Sequence, residues 1–183
     1  MTDPLLRADE GCDPDTWLLW DSVWSTEAGM ADFALAGSDE PGNRGGLAAR
    51  AGIATAVVLA LFTDARVPAG HPLRYLADGE RRGWWGDAVD VQAGAAEGPL
   101  GSLLWLLERA PLTVAGRPVA VWAETFAREA LAPLLTQGVA GRIAVQAAAK
   151  PLDNRLELEI GLFARGGAAL YRRRFDLLWR QLA

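Results

Sequence analysis

Leu156-Glu157-Leu158-Glu159-Ile160-Gly161-Leu162 alternates large apolar residues with polar or small ones without a break, the pattern of a β-strand buried on one face. Two further runs carry the same two-residue period. Ile143, Val145 and Ala147 alternate with Arg142, Ala144 and Gln146 before it, and Tyr171, Phe175, Leu177 and Trp179 continue the pattern after it. Gly166-Gly167 separates the second and third runs and suits a two-residue hairpin turn, because both positions accept positive φ. Such a turn sets Leu162 opposite Tyr171, Leu158 opposite Phe175 and Leu156 opposite Leu177. It also sets Glu159 opposite Arg174, a pair worth about 0.2–1 kcal/mol. Two positions fit this register poorly: Arg173 falls on the apolar side, and Glu157 opposes Asp176. A β-bulge around residues 172–174 is the expected remedy, with reservation of Arg173 for a partner as the alternative. Residues 142–180 are therefore expected to form a three-stranded antiparallel meander.

Upstream, the apolar period lengthens to three and four. Val119, Trp122, Phe126, Ala130, Leu131, Leu134 and Leu135 form one stripe, which predicts a helix over 118–137. Glu124 and Arg128 lie four apart on it in the favourable order, and Pro133 is expected to kink it or start a new turn. A short helix is expected over 102–109 with Ser102 as its N-cap. Residues 47–63 are Ala-rich, with Ile53, Val57, Val58, Leu61 and Phe62 at helical spacing, and read as a helix enclosed on most sides. Residues 64–99 are rich in Pro and Gly but also in bulky aromatics, so they read as a loop-rich segment packed against the body. In the first 45 residues, 16–20 and 32–36 read as strands or extended segments, and 37–46 as a mobile loop. The expected fold class is α+β: a small antiparallel sheet, made of the C-terminal meander plus N-terminal strands, packed on two to four helices in one domain over 1–183.

Composition narrows the function. At 183 residues, 51% hydrophobic and 22% charged, the chain is long enough to bury roughly 70% of its unfolded surface without staples. Its single cysteine, Cys12, forms no intrachain disulfide. A formal charge of −5 argues against a general nucleic-acid binder. Codon usage or a preference for bidentate contacts accounts for 17 Arg against one Lys. The apolar run 51–62 is well short of the ~20 residues a membrane span needs. The N-terminus carries no secretory pattern, so the chain is expected to remain in the cytoplasm of the cell that makes it or to be built into something there.

Catalytic groups are scarce. One His, one Cys and four Ser (Ser22, Ser25, Ser38 and Ser102) leave no nucleophile elbow, no phosphate loop and no zinc ligand set. No cofactor or metal is expected. His71, in Gly70-His71-Pro72, reads as a solvated loop residue. A carboxylate pair drawn from Asp87, Glu97, Glu124 and Glu129 keeps glycan hydrolysis as the alternative function, since such pairs are set by distance in space. Against it, Asp87 reads as a turn cap and Glu124 as a helix ion pair. Arg172-Arg173-Arg174 alternates faces on a strand and does not make one phosphate patch.

Tryptophan is over-used: eight, against seven Phe and Tyr together. Indoles suit both cores and contact hot spots. In Gly83-Trp84-Trp85-Gly86-Asp87 the adjacent rings point apart. Either one ring enters the core while the other meets a neighbour, or both roof the 47–63 helix.

Several segments together resemble a family. They are Thr55-Ala56-Val57-Val58-Leu59-Ala60-Leu61-Phe62-Thr63-Asp64, the run from Asp78-Gly79-Glu80-Arg81-Arg82 through Asp87, Gly101-Ser102-Leu103-Leu104-Trp105-Leu106-Leu107, Arg128-Glu129-Ala130-Leu131 and Phe175-Asp176-Leu177-Leu178-Trp179. In this order they resemble the tail baseplate proteins of Mu-like contractile phages, which are distantly similar to the lysozyme-like baseplate wedge proteins that initiate sheath assembly. The resemblance implies a non-enzymatic structural protein in the virion tail baseplate, in six copies, assembled in the host cytoplasm. Its implied partners are the wedge, the tail tube or hub, and the sheath, the last engaged by strand exchange; no nucleic acid or membrane partner is implied. The expected contact residues are Arg82, Gly83, Trp84, Trp85, Gly86 and Asp87 of the Trp-rich loop, with Arg173, Phe175, Leu177 and Trp179 of the last hairpin. A regulatory adaptor on the same fold is a further alternative.

Overall fold

The computed structural model describes residues 22–25, 30–33, 52–84 and 99–179. Contacts divide the chain into two units, Met1–Ala56 and Val57–Ala183. In the first, β1 (Ser22–Ser25) and β2 (Met30–Phe33) pair antiparallel, with Ser22 opposite Phe33 and Ser25 opposite Met30. The expected segment 16–20, the end of 32–36 and the loop 37–46 lie outside the described residues.

Helix α1 (Gly52–Phe62) carries the second unit's first apolar residues. Val57, Ala60 and Leu61 recur at helical spacing and are buried, whereas Leu59 and Phe62 are 39% and 44% exposed. Residues 54–56 and 58 are half-buried, so the helix is enclosed on most sides, with Leu59 and Phe62 on its open edge. Beyond it the chain is clasped to residues 101–105. Asp64 and Ser102 form a parallel bridge, with Ala65 N–H donating to Ser102 O and Ser102 N–H to Thr63 O, each at 2.9 Å. The buried Ser102 hydroxyl donates to Leu61 O and accepts from Leu104 N–H, just ahead of the single 3-10 turn Leu104–Leu107 that stands where a short helix was expected; the N-cap of that turn is Leu103, one residue beyond the expected Ser102. Gly101 has φ +116, and a Cβ there would stand 2.6 Å from Thr63 O. Only glycine allows that approach.

Strands β3 (Thr113–Val114) and β4 (Arg117–Pro118) make a two-residue hairpin through Ala115 and Gly116, both at positive φ. It delivers the chain into α2 (Val119–Thr136), which buries Val119, Trp122, Ala123, Phe126, Ala127, Leu131 and Leu134. The helix continues as one element past Pro133, and Gly138, at φ +77, closes it by donating to Leu135 O.

The meander is β5 (Arg142–Lys150), β6 (Arg155–Phe163) and β7 (Ala169–Leu178), in that spatial order. β6 is central, and its Leu156, Leu158, Ile160 and Leu162 are at most 1% exposed. The expected β6–β7 partners are all found, including Ile160 opposite Arg173 and Glu157 opposite Asp176. Two details of the turn differ, and they cancel. The loop has three residues, 165–167: Gly167 N–H donates to Ala164 O and Gly167 is at φ +88, a type I turn followed by a left-handed glycine. The bulge then falls between Phe163, which faces Ala169, and Leu162, which faces Tyr171, so Leu170 is the extra residue. Register is regular through 172–174, where the bulge was expected. The Glu157–Asp176 opposition is instead eased by Arg155, 2.9 Å from Glu157, and by Arg174, 3.5 Å from Asp176.

The α+β class holds in this arrangement of helices and small antiparallel sheets. Among the described residues no helix is long and apolar enough to cross a membrane.

Candidate assembly interface

The two outer strands of the meander present their edges differently. Along an antiparallel strand, alternate residues aim both backbone polar groups at one neighbour or away from it. On β5 the outward residues include Val145 and Ala147. Glu124 of α2 accepts the Ala147 N–H at 3.1 Å, and Arg128 donates to Val145 O at 2.8 Å while holding Glu124 at 2.9 Å. The expected helix ion pair therefore forms and also caps the middle of a sheet edge. Charge-assisted bonds of this kind contribute about 1.5–3 kcal/mol each.

The same alternation carried across β6 turns the N–H and C=O of Arg172, Arg174 and Asp176 outward from β7. Among the described residues none of these groups has a backbone partner, and no strand lies beyond β7. Their side chains are ion-paired at 3.5 Å, Arg172 with Glu159 and Arg174 with Asp176, both in solvent. Arg173, on the inner row between Tyr171 and Phe175, is exposed and has no ion pair among the described residues. Its exposure on an apolar row follows from β7's position at the sheet edge, while α2 lies over β5 and reaches β6. Burial pushes the Tyr171 phenol up, against the opposing influence of the Arg173 guanidinium.

The expected contact residues of loop and hairpin partly meet. Arg82, at φ +40, pairs with Asp64 at 2.9 Å and lies 4.6 Å above the Trp105 ring. The pair is well exposed and worth no more than about 1 kcal/mol. Arg82, Leu177 and Trp179 share the lining of one shallow depression of about 250 Å³ with Phe62, Asp64 and Trp105. Phe175 is half-buried and meets Phe62 edge-on at 5.2 Å. Gly83 is half-buried at φ +92, and Trp84 is 38% exposed. Trp85, Gly86 and Asp87 lie outside the described residues.

Trp179 needs a correction: it is 1% exposed, with its indole N–H on Ala110 O at 2.7 Å. It anchors the end of β7 in the core and only floors the depression. Trp122 and Trp105 act alike, donating to Val114 O and Ala65 O, each at 2.9 Å. Three indoles thus staple loops to the body, a use the sequence reading missed.

His71 also differs from expectation. Its Nδ1 accepts the Leu73 N–H at 3.1 Å, and its ring packs on Trp122 and Phe126. Burial holds its pKa down, against Glu129, which raises it. Of the carboxylates considered for hydrolysis, Glu124 is engaged at the β5 edge, Glu129 is exposed on α2, and Asp87 and Glu97 lie outside the described residues. Among the described residues no group of three or more His, Cys, Asp or Glu is placed to hold a metal.

This arrangement defines a small α+β protein whose meander is capped at the middle of its β5 edge and, among the described residues, has no partner along its β7 edge. A family model described as phage protein GP46 matches residues 53–169, and the chain belongs to that family of phage proteins. The matched span covers α1, the Ser102 clasp, α2, β5 and β6, and ends at the first residue of β7. No curated protein and no solved structure matches the chain.

Proposed function

We propose that the chain is a non-enzymatic structural component of a contractile phage tail, docking on wedge and tube proteins of the baseplate and starting the sheath by pairing β7 with a strand of the first sheath ring. Membership of a phage protein family supports the coarse part of this reading. The finer part rests on one observation, the outward edge of β7, which has no partner among the described residues, across the sheet from a β5 edge that α2 caps at its middle. An exposed edge is a ready template for strand addition. The depression shared by Arg82 and Leu177 gives a second, apolar foothold next to the same strand. Six copies in the baseplate, assembled in the host cytoplasm, complete the proposal.

The test is Arg174→Pro in particles induced from cells carrying the phage. Proline removes only an outward N–H at this position and is tolerated on an edge strand. Baseplates without sheath are expected. Sheathed tails in wild-type numbers would overturn the reading. Truncation after Arg174 is a poorer test, because it deletes Trp179 from the core.

A further inference from the structure

Resting on that reading, we infer that the strand received by β7 is acidic: an extended partner segment whose carboxylates face Arg172, Arg173 and Arg174. β7 carries three consecutive arginines against one acid, Asp176, in a chain whose formal charge is −5. The cationic stretch coincides with the open edge. A strand added there lays its side chains in the same two rows, alongside Arg172 and Arg174 on the outer face and Arg173 on the inner one. Arg172 and Arg174 already have acids at 3.5 Å, whereas Arg173 has no ion pair among the described residues. It stands in a row of otherwise aromatic and aliphatic side chains: Tyr171, Phe175 and Leu177. The fitting segment therefore carries Asp or Glu on its outer row, opposite Arg172 and Arg174, and one further carboxylate on its otherwise apolar inner row, opposite Arg173. Two strands carrying that charge repel, which disfavours a second copy as the occupant. Because the guanidiniums divide between two faces, they do not track a phosphate backbone either.

Two capped nine-residue peptides test this on the full chain by calorimetric titration, one alternating valine with glutamate but with three successive glutamates at its centre, the other with lysine in place of every glutamate. The glutamate peptide is expected to bind at least tenfold more tightly, with the gap closing as salt is raised because exposed pairs are screened. Arg173→Glu is expected to narrow the preference, and Arg174→Pro to abolish binding of both. Equal affinity for the two peptides, lost in Arg174→Pro, overturns the acidic-partner inference while leaving edge pairing intact. Glutamate-peptide binding that Arg174→Pro leaves unchanged overturns both. Failure of the glutamate peptide to bind at millimolar concentration overturns the inference, as does its displacement by self-association of the chain or by a DNA duplex.

Discussion

β5 and β7 flank the same central strand and have similar lengths, yet among the described residues only β5 has edge groups taken by another element. Glu124 and Arg128 take the Ala147 N–H and Val145 C=O, while the matching groups of Arg172, Arg174 and Asp176 have no such helix beside them. The difference comes from where α2 lies: over β5 and reaching β6. An edge in this state is a hazard unless something else completes it. β7 is nevertheless held at its far end, because Trp179 enters the core and its backbone N–H donates to Asn154 O. A strand fixed at one end, with its outward groups unpartnered among the described residues, is a fitting receiver for another.

The contrast breaks most severely if that anchor is lost. Trp179→Ala removes a buried indole and its bond to Ala110 O, and is expected to cost about 3–5 kcal/mol, read from urea denaturation. Unfastening the closed edge comes next. Glu124→Ala combined with Arg128→Ala strips two backbone groups of β5 of their partners and is expected to cost about 1–3 kcal/mol in the same assay. It should also make the chain self-associate in sedimentation, since both edges are then exposed. A neighbouring pair sharpens the geometry of β7: Arg173 faces β6 opposite Ile160, whereas Arg174 faces outward. Arg173→Pro should lose about 1–3 kcal/mol with a broken ladder bond, and Arg174→Pro less than about 1 kcal/mol. The smallest effect concerns the closed side alone, through His71 against α2. Its folded-state pKa is lowered by burial, so the unfolded chain binds the proton more readily. The contribution is complete above the ordinary value of about 6.5 and declines as pH falls below it. Melting temperature should fall over that window in the wild type and stay flatter in His71→Asn.

The meander was legible because a one-face-buried strand leaves a period of two in its own residues, and β6 shows it without interruption. The register was legible too, although the turn behind it was not. A two-residue Gly-Gly turn and a three-residue turn with a bulge at Leu170 bring the same partners together, and no residue type separates them. The β3–β4 hairpin escaped notice because its turn is Ala115-Gly116 in place of the usual Asn-Gly. The roles of Trp179, Trp105 and Ser102 depend on carbonyls far away in sequence, which no local pattern encodes. Edge closure is the clearest case. Glu124 and Arg128 carry the signal of an ordinary helix ion pair, and only the packing of α2 on β5 turns it into a cap.

Amide-resolved hydrogen exchange bears most directly on the unequal edges. In the isolated chain the Ala147 amide should exchange slowly and those of Arg172, Arg174 and Asp176 quickly, and the latter three should become protected when the chain is built into tail particles. Comparable protection of all four amides in the isolated chain, or no change at β7 on assembly, would contradict the account.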